Sequence, residues 1–306
     1  MDARIGIVGT GWVGSSVAIS TLHAGIASSL LLHDANGPLA EGEAMDLSHG
    51  AAFYAACEVR TAGLDELRSA DAVVLAAGRG GRPGESRLDL LRDNARVAAD
   101  VGRALAGFGG TIVVVTNPVD VLVRVVAEAS GLPSARVLGT GTMLDTARLR
   151  RALASRLGVA PGSVHAHVVG EHGDSEVVLW SGARAGGVPL RDWPGWRTGD
   201  EGRIADAVRT AAQEIIRRKG ATNHAIGLVT ASLLRCLLRD ERRVLDVSRV
   251  QDGAAGLRDV ALSLPTIVGR DGGTTVVEPA MDAAERAALE RSAAVLRAAA
   301  DTLARP

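Results

Sequence analysis

Short, continuous apolar runs alternate with amphipathic stretches of helical length along the first half of this chain, the pattern of a parallel sheet covered by helices on both faces. Residues 4–8 form the first such run, and a glycine-rich turn leads from it into a helical pattern over 12–25. Further buried strands are predicted at 30–33, 72–77 and 111–115, separated by helices at 88–105 and 119–129. After about residue 140 the pattern changes to a helix through 157, short strands around 164–169 and 176–179, and a loop rich in Pro, Gly and Trp over 186–199. Long helices at 200–218 and 222–238 follow, then strands at 244–250 and 260–268, and a final helix over 282–303. The expected fold class is α/β, with an N-terminal doubly wound parallel sheet over 1–140 and a C-terminal α+β domain over 141–306.

Composition narrows the possibilities without naming one. With 306 residues and 47% hydrophobic content the chain can bury one large core or two smaller ones. A formal net charge of -1 and 2% aromatic residues argue against a basic, base-stacking face, so no nucleic-acid partner is expected. Cys57 and Cys236 lie far apart with no Cys-x-x-Cys spacing, which indicates neither a disulfide framework nor a metal knuckle and fits a reducing cytoplasm. The first residues lead straight into an apolar strand, and no apolar run approaches the roughly 18 residues that span a bilayer, so a cytoplasmic protein without a membrane partner is expected. Lys219 is the single lysine, leaving arginine for every other cationic task, either by genomic bias or because planar recognition of carboxylate or phosphate is required.

Two stretches carry candidate chemistry. Gly9-Thr10-Gly11-Trp12-Val13-Gly14 follows a strand and opens a helix, the context in which backbone approaches a pyrophosphate at a helix N-terminus. Asp34 ends the second strand, where a carboxylate accepts both ribose hydroxyls and repels a 2′-phosphate, so NAD is expected as cofactor rather than NADP. The alternatives are a ligand-free tight turn and a simple capping residue. Ala77 ends the strand over 72–77 at the carboxyl edge of the sheet and Gly78 opens a glycine-rich loop, 78–84, suited either to moving over a site or to being mere surface. In the second half, His172 sits between glycines in Val169-Gly170-Glu171-His172-Gly173-Asp174-Ser175, and Asp145-Thr146-Ala147-Arg148 lies upstream. An acid, a base and a fixed cation are what reduction of a 2-oxo acid requires.

These residues resemble the lactate branch of the lactate/malate dehydrogenase family across essentially the whole chain, through Gly84-Glu85-Ser86-Arg87-Leu88, Thr116-Asn117-Pro118-Val119-Asp120, Leu144 to Arg148, Gly170 to Ser175, Lys219-Gly220-Ala221-Thr222 and Leu264-Pro265-Thr266-Ile267-Val268. The resemblance implies a Rossmann NAD-binding domain followed by a catalytic domain, and reversible hydride transfer between NADH and a 2-oxo acid such as pyruvate. It implies His172 as proton donor or acceptor, Asp145 as its orienting carboxylate, Arg148 as the two-point grip on the substrate carboxylate, and Arg87 as the group that polarises the carbonyl when the loop closes. Asn117 would stand beside nicotinamide and substrate oxygen, Gly9, Gly11, Val13, Gly14, Asp34, Ala77 and Gly78 would hold NAD, and Thr222 would line the substrate pocket. Taken singly, His172 could be a satisfied core histidine, the two arginines solvated helix charges, and Asn117-Pro118 a turn. The family also implies a homo-oligomer, a tetramer or at least a dimer.

The chain departs from the family pattern in two places and matches a regulatory position in a third. Gly81 stands where lactate enzymes carry glutamine and malate enzymes arginine, which would admit a bulkier 2-oxo acid or let Arg79 or Arg82 turn in toward a dicarboxylate, so malate is the alternative substrate. Asn223 and His224 stand where bacterial relatives have two aromatic residues, which predicts either a more polar pocket wall or drift on a tolerant helix face. Arg150 and His165 fall where bacterial relatives bind fructose 1,6-bisphosphate. The competing reading makes Arg150 a surface charge and His165, alternating with His167 along one strand, structural or a weak metal ligand; no metal is expected.

Overall fold

The computed structural model describes residues 2–80 and 87–304. Six parallel strands form the centre of the molecule: β1 (Arg4–Val8), β2 (Ser29–His33), β3 (Glu58–Thr61), β4 (Ala72–Leu75), β5 (Thr111–Val114) and β6 (Val137–Gly139). Their spatial order is β3-β2-β1-β4-β5-β6, so the winding reverses between β1 and β4. Helices α1 (Trp12–Ala24), α2 (Gly37–His49), α3 (Arg87–Ala104) and α4 (Val119–Ser130) make the crossovers.

Strand periodicity explains why both faces are covered. Ile5, Ile7, Leu30, Leu32, Val74 and Val113 point to one side, where they pack on Val17 and Leu22 of α1. Val8, Leu31, Val73, Leu75, Ile112 and Val114 point to the other and meet Ala98 and Val101 of α3 and Leu122 and Val126 of α4. Neighbouring residues on one strand thus serve opposite cores, and a continuous apolar run is the only sequence that satisfies both.

The second half contributes α5 (Met143–Leu157), the two-residue strands β7 (Val164–His165), β8 (Val168–Val169), β9 (Val177–Val178), β10 (Arg184–Ala185) and β11 (Val188–Pro189), then α6 (Glu201–Lys219) and α7 (His224–Leu238). A hairpin of β12 (Arg243–Asp252) and β13 (Arg258–Gly269), with β14 (Gly272–Val276), precedes the closing helix α8 (Ala283–Ala304). The hairpin does not stand apart: β12 meets β6 in antiparallel pairing at Ser248 and Gly139, extending the sheet to nine strands. Helix α7 also returns to the first half, with Leu233, Leu234 and Leu237 in the core beneath α1. At their closest approach a Cβ on Gly227 would lie 2.4 Å from the Ser16 carbonyl oxygen, so no side chain fits there.

The observed elements depart from the sequence expectation where patterning is weak. Strand β3 is a four-residue edge with half-exposed positions, and β6 has three residues; both are too short to show a period. Helix α2 has few apolar positions and starts from local chemistry, with the Asn36 side chain accepting the Leu39 N–H and a proline in its first turn. The single strand expected over 164–169 is two, because β7 pairs with β10 while β8 pairs with β9.

Candidate active site

The segments that follow β1, β2, β4, β5 and β6 bring the site together with α5 at the carboxyl edge of the sheet, beside the point where the winding reverses. The turn after β1 depends on close backbone approach. Gly9 has φ +92, and a Cβ on Gly14 would lie 1.8 Å from the Gly9 carbonyl oxygen. A Cβ on Gly11 would instead meet nothing within 4 Å, although Gly11 caps α1 without using a side chain. Gly14 is therefore demanded by packing, whereas the bare backbone at Gly11 leaves the free N–H groups of α1 open to an anion. Asp34 follows β2, and its Oδ2 accepts the Thr10 N–H at 2.8 Å, which fixes the carboxylate beside the turn.

Gly9, Gly11, Asp34, Ala77 and Gly78 share one cleft of about 710 Å³ with Leu39, Leu64 and Val97. An apolar slot with a carboxylate at one end and a helix N-terminus at its base suits the adenosine and pyrophosphate of a dinucleotide. Arg79 does not turn toward a substrate as the sequence allowed. Its Nη2 lies 2.7 Å from Asp93 of α3, and Asn94 binds both its N–H and its carbonyl oxygen. The second Nδ2 bond of Asn94 reaches the Asn117 carbonyl oxygen at 3.0 Å, so this one side chain ties the loop after β4 to the loop after β5. Gly81 and Arg82 lie outside the described residues, as does the side chain of Arg87, which opens α3.

A smaller pocket of about 120 Å³ is lined by Val13, Val115, Asn117, Thr140 and Gly141 from the first half of the chain and by Leu144, Arg148, His172, Ala212, Ile216, Thr222 and Ile226 from the second. Asp145 and Arg148 occupy one face of α5, three residues apart, with Arg148 Nη1 donating to Asp145 Oδ1 at 2.7 Å. The other carboxylate oxygen, Oδ2, lies 2.5 Å from His172 Nδ1, which leaves Nε2 as the ring nitrogen free for a ligand. Asp145 is almost fully enclosed, in the first turn of its helix. Burial alone would push its carboxyl up, but the His172 bond and the charges of His172 and Arg148 outweigh burial and hold it below the usual carboxylate value. For His172, burial favours the neutral ring, and the Asp145 bond and charge override it to raise the imidazole to about 8.

The loop that carries His172 is pinned from three elements the sequence gave no reason to associate with it. Gly170, at φ +85, exchanges both backbone hydrogen bonds with Ser263 of β13 at 2.9 Å. Ser292 of α8 accepts the Glu171 N–H at 2.8 Å, and Asp120 of α4 accepts the His172 N–H at 2.7 Å. Burial pushes Asp120 up to about 6, with the His172 N–H and imidazolium pulling the other way. Asp120 stood within one of the resemblance motifs, which was the only signal that could have found it; Asn94, Ser263 and Ser292 left none.

Two pairs of residues that the sequence left with alternative readings have the following places. Asn223 and His224 do not line the pocket: Asn223 is buried against α1, donating to Ser16 Oγ at 2.9 Å and accepting from Lys219 Nζ at 2.8 Å. The wall that one of the two readings made more polar is formed by Leu144, Ala212, Ile216 and Ile226, with the Thr222 hydroxyl among them. Elsewhere, Arg150 lines a separate groove of about 320 Å³ with Arg243, Thr146 and Asp246, its Nε donating to the Ala166 carbonyl oxygen at 3.0 Å. His165 is exposed on β7 and is not among the groove's lining residues, while its neighbour His167 binds Asp246 at 2.8 Å.

Comparison with known proteins gives the following. Residues 3–139 match the family model of the lactate/malate dehydrogenase NAD-binding domain, and residues 142–305 match that of the lactate/malate dehydrogenase α/β C-terminal domain. The chain is 45% identical to an L-lactate dehydrogenase of Thermus aquaticus, over 98% of this chain and 99% of the relative. It is 43% identical to an L-lactate dehydrogenase of Synechococcus sp. (strain JA-3-3Ab), over 97% and 98%. A solved structure of the minor L-lactate dehydrogenase from Enterococcus mundtii, in its ligand-bound form, superposes with a TM-score of 0.96 at 39% identity, covering 99% of this chain and 98% of that one.

Two outcomes follow from the geometry. Gly14→Ala should lower the urea midpoint by the equivalent of ~1–3 kcal/mol or more, because the new methyl meets fixed backbone. Gly11→Ala should unfold as the unsubstituted protein does yet bind NADH more weakly, as read by fluorescence titration. Second, the His172 imidazole should titrate near pH 8 by NMR and, in Asp145→Asn, below 6.5, since burial is then less opposed. A raised histidine stabilises the fold fully below about pH 6.5 and loses that contribution as pH rises through about 8, so the stability gap between the two proteins should close across that window.

Proposed function

The chain belongs to the lactate/malate dehydrogenase family, and from that premise we propose that it is an NAD-dependent L-lactate dehydrogenase, interconverting pyruvate and L-lactate. The observation that carries this reading is Asp145 holding His172 on one oxygen and Arg148 on the other, with both partners lining one 120 Å³ pocket. Bound NADH supplies the hydride. His172, charged below about pH 8, donates its Nε2 proton to the oxygen of the 2-oxo acid and takes it back in the reverse direction. Asp145 fixes the ring and favours the charged form. Arg148, with one edge held by Asp145, offers the rest of its guanidinium to the substrate carboxylate. Asn117 and Thr222 both line the pocket and position the substrate oxygen and side chain, and Arg87 at the head of α3 completes the site by polarising the carbonyl.

Pyruvate is favoured over oxaloacetate because Arg148 is the only arginine or lysine among the described lining residues, leaving none to pair a second carboxylate, and the remaining wall is mostly aliphatic. Residues 1–140 serve the dinucleotide and 141–306 the substrate, a division supported by the boundary between the two family models. Trp12, Met45 and Leu228 are each at least 60% exposed on α1, α2 and α7, an apolar surface that supports a homo-oligomer, a tetramer as the family implies. Arg150 and Arg243 in one groove support an anionic effector such as fructose 1,6-bisphosphate; His165 does not line that groove. No described helix is long and apolar enough to cross a membrane, and both cysteines are free, which supports a cytoplasmic setting.

Steady-state rates with pyruvate, oxaloacetate, 2-oxoisocaproate and phenylpyruvate test the substrate. Pyruvate should have the highest kcat/KM, and His172→Ala should lower it by about 10²–10⁴-fold; a preference for oxaloacetate by orders of magnitude would assign the malate reading. Fructose 1,6-bisphosphate should lower the pyruvate concentration for half-maximal rate, and Arg150→Ala should abolish that response. An unchanged saturation curve at millimolar effector would remove the regulatory role.

A further inference from the structure

Asn223 has no role in the scheme above, and its side chain works against local preference. It stands at the N-cap of α7, where an asparagine side chain ordinarily accepts a backbone N–H of the first helical turn, yet here it caps nothing. Buried, it is directed instead at two other helices. Its Oδ1 accepts from Nζ of Lys219, the last residue of α6, at 2.8 Å, and its Nδ2 donates to Ser16 Oγ of α1 at 2.9 Å. Lysine has donors alone, so the amide oxygen must face it and the amide nitrogen must face Ser16. A local cap is given up, and three helices are tied together.

The same three helices supply one part of the substrate pocket wall. Ile216 comes from α6, Thr222 from the corner that joins α6 to α7, Ile226 from α7 and Val13 from α1. Val13 and Ser16 are three residues apart on α1 and therefore share a face. Asn223 and Gly227, four apart at the start of α7, both meet Ser16: the amide binds its hydroxyl, and Gly227 admits its backbone with no room for a side chain. Gly220, at φ +85, ends α6, so the direction in which the corner leaves is set at a residue of wide conformational freedom and is fixed by what the corner binds. The pocket that remains is about 120 Å³, well below the ~300 Å³ at which sites for drug-sized ligands begin. Resting on the reading of this site as a 2-oxo acid reductase, we propose that Asn223 is a positioning residue for substrate size: by tying the α6–α7 corner to Ser16 it holds Thr222 and Ile226 close to Val13 and keeps out acids with branched side chains. Without the tie the corner retreats from α1, which takes contact from a methyl group and gives room to an isobutyl group.

The ratio of kcat/KM for pyruvate to that for 2-oxoisocaproate measures this effect, since the two acids carry the same charge and differ in the side chain alone. It should fall at least about fivefold in Asn223→Ala and clearly in Ser16→Ala. The double substitution should lower it no further than Asn223→Ala does, because the two changes break the same link. Asn223→Asp should keep the ratio within about twofold, as a carboxylate in that place accepts from Lys219 and from the Ser16 hydroxyl. A merely structural Asn223 would lower the urea midpoint of Asn223→Ala and leave the ratio where it was. Should Asn223→Ala not fold, Ser16→Ala carries the same decision with the loss of one hydroxyl. An unchanged ratio in either single variant, or multiplied effects in the double one, overturns the positioning role alone. If the unsubstituted protein reduces no 2-oxo acid, the functional reading falls and the role assigned to Asn223 falls with it.

Discussion

A carboxylate has two oxygens, and in Asp145 each has a different cation: Arg148 at 2.7 Å and His172 at 2.5 Å. Everything else around the pocket keeps that three-membered arrangement in register. Helix α5 presents Asp145 and Arg148 on one face because they are three residues apart, but its placement depends on threonines. Thr142 donates its N–H to Ser263 Oγ and its own hydroxyl to the Val168 carbonyl oxygen, while the Thr146 hydroxyl donates to Asp246 at 2.6 Å and accepts the Val168 N–H at 3.0 Å. Strand β8, which these bonds hold, leads directly into the His172 loop. The helix bearing the carboxylate and the strand leading to the imidazole are therefore fixed to each other before either meets a ligand, as a preorganised electrostatic site requires.

Burial sets the strength of this arrangement. In water an aspartate beside an arginine is a weak pair, and a histidine nearby titrates at its ordinary value. Enclosed as Asp145 is, the pair's fields are less screened, and they reverse what burial alone would do to both partners. The same enclosure has opposite effects on the other two acids in the neighbourhood. Asp120 and Glu176 lack an arginine of their own, and both are pushed up. Three carboxyls within one small region thus differ in charge because of what each touches, a separation of acid strengths that a site moving one proton needs.

The dinucleotide and substrate ends meet through backbone more than through side chains. Asn94 joins the loops after β4 and β5, Gly14 lets α1 sit against the turn after β1, and Gly227 lets α7 sit against α1. Through that last contact the helix that carries Ile226 to the pocket is placed by the helix that opens the dinucleotide cleft. The hairpin of β12 and β13 then closes the sheet beyond β6 and supplies Ser263 to the His172 loop. The two halves share one nine-stranded sheet, which joins the strands behind the cofactor cleft to the hairpin that holds the His172 loop.

Much of this was determined by the sequence alone, because the signals were local. The strands at 4–8, 72–75 and 111–114 announce themselves as unbroken apolar runs, Gly9 to Gly14 with Asp34 marks the dinucleotide turn, and the spacing of Asp145 and Arg148 places them on one helical face. The glycines around His172 marked a loop able to approach a ligand. What the sequence could not determine was long-range. Asp120, Ser263 and Ser292 reach the His172 loop from across 52 to 121 positions along the chain, and no periodicity connects them. Nor could it decide which way Asn223 and His224 face, since a residue at a helix start can turn either way until a neighbour such as α1 occupies one side. Charge states belong to the same class: Asp145, Asp120 and Glu176 are ordinary acids as letters, and only the packing that excludes water and places or withholds a cation makes them different.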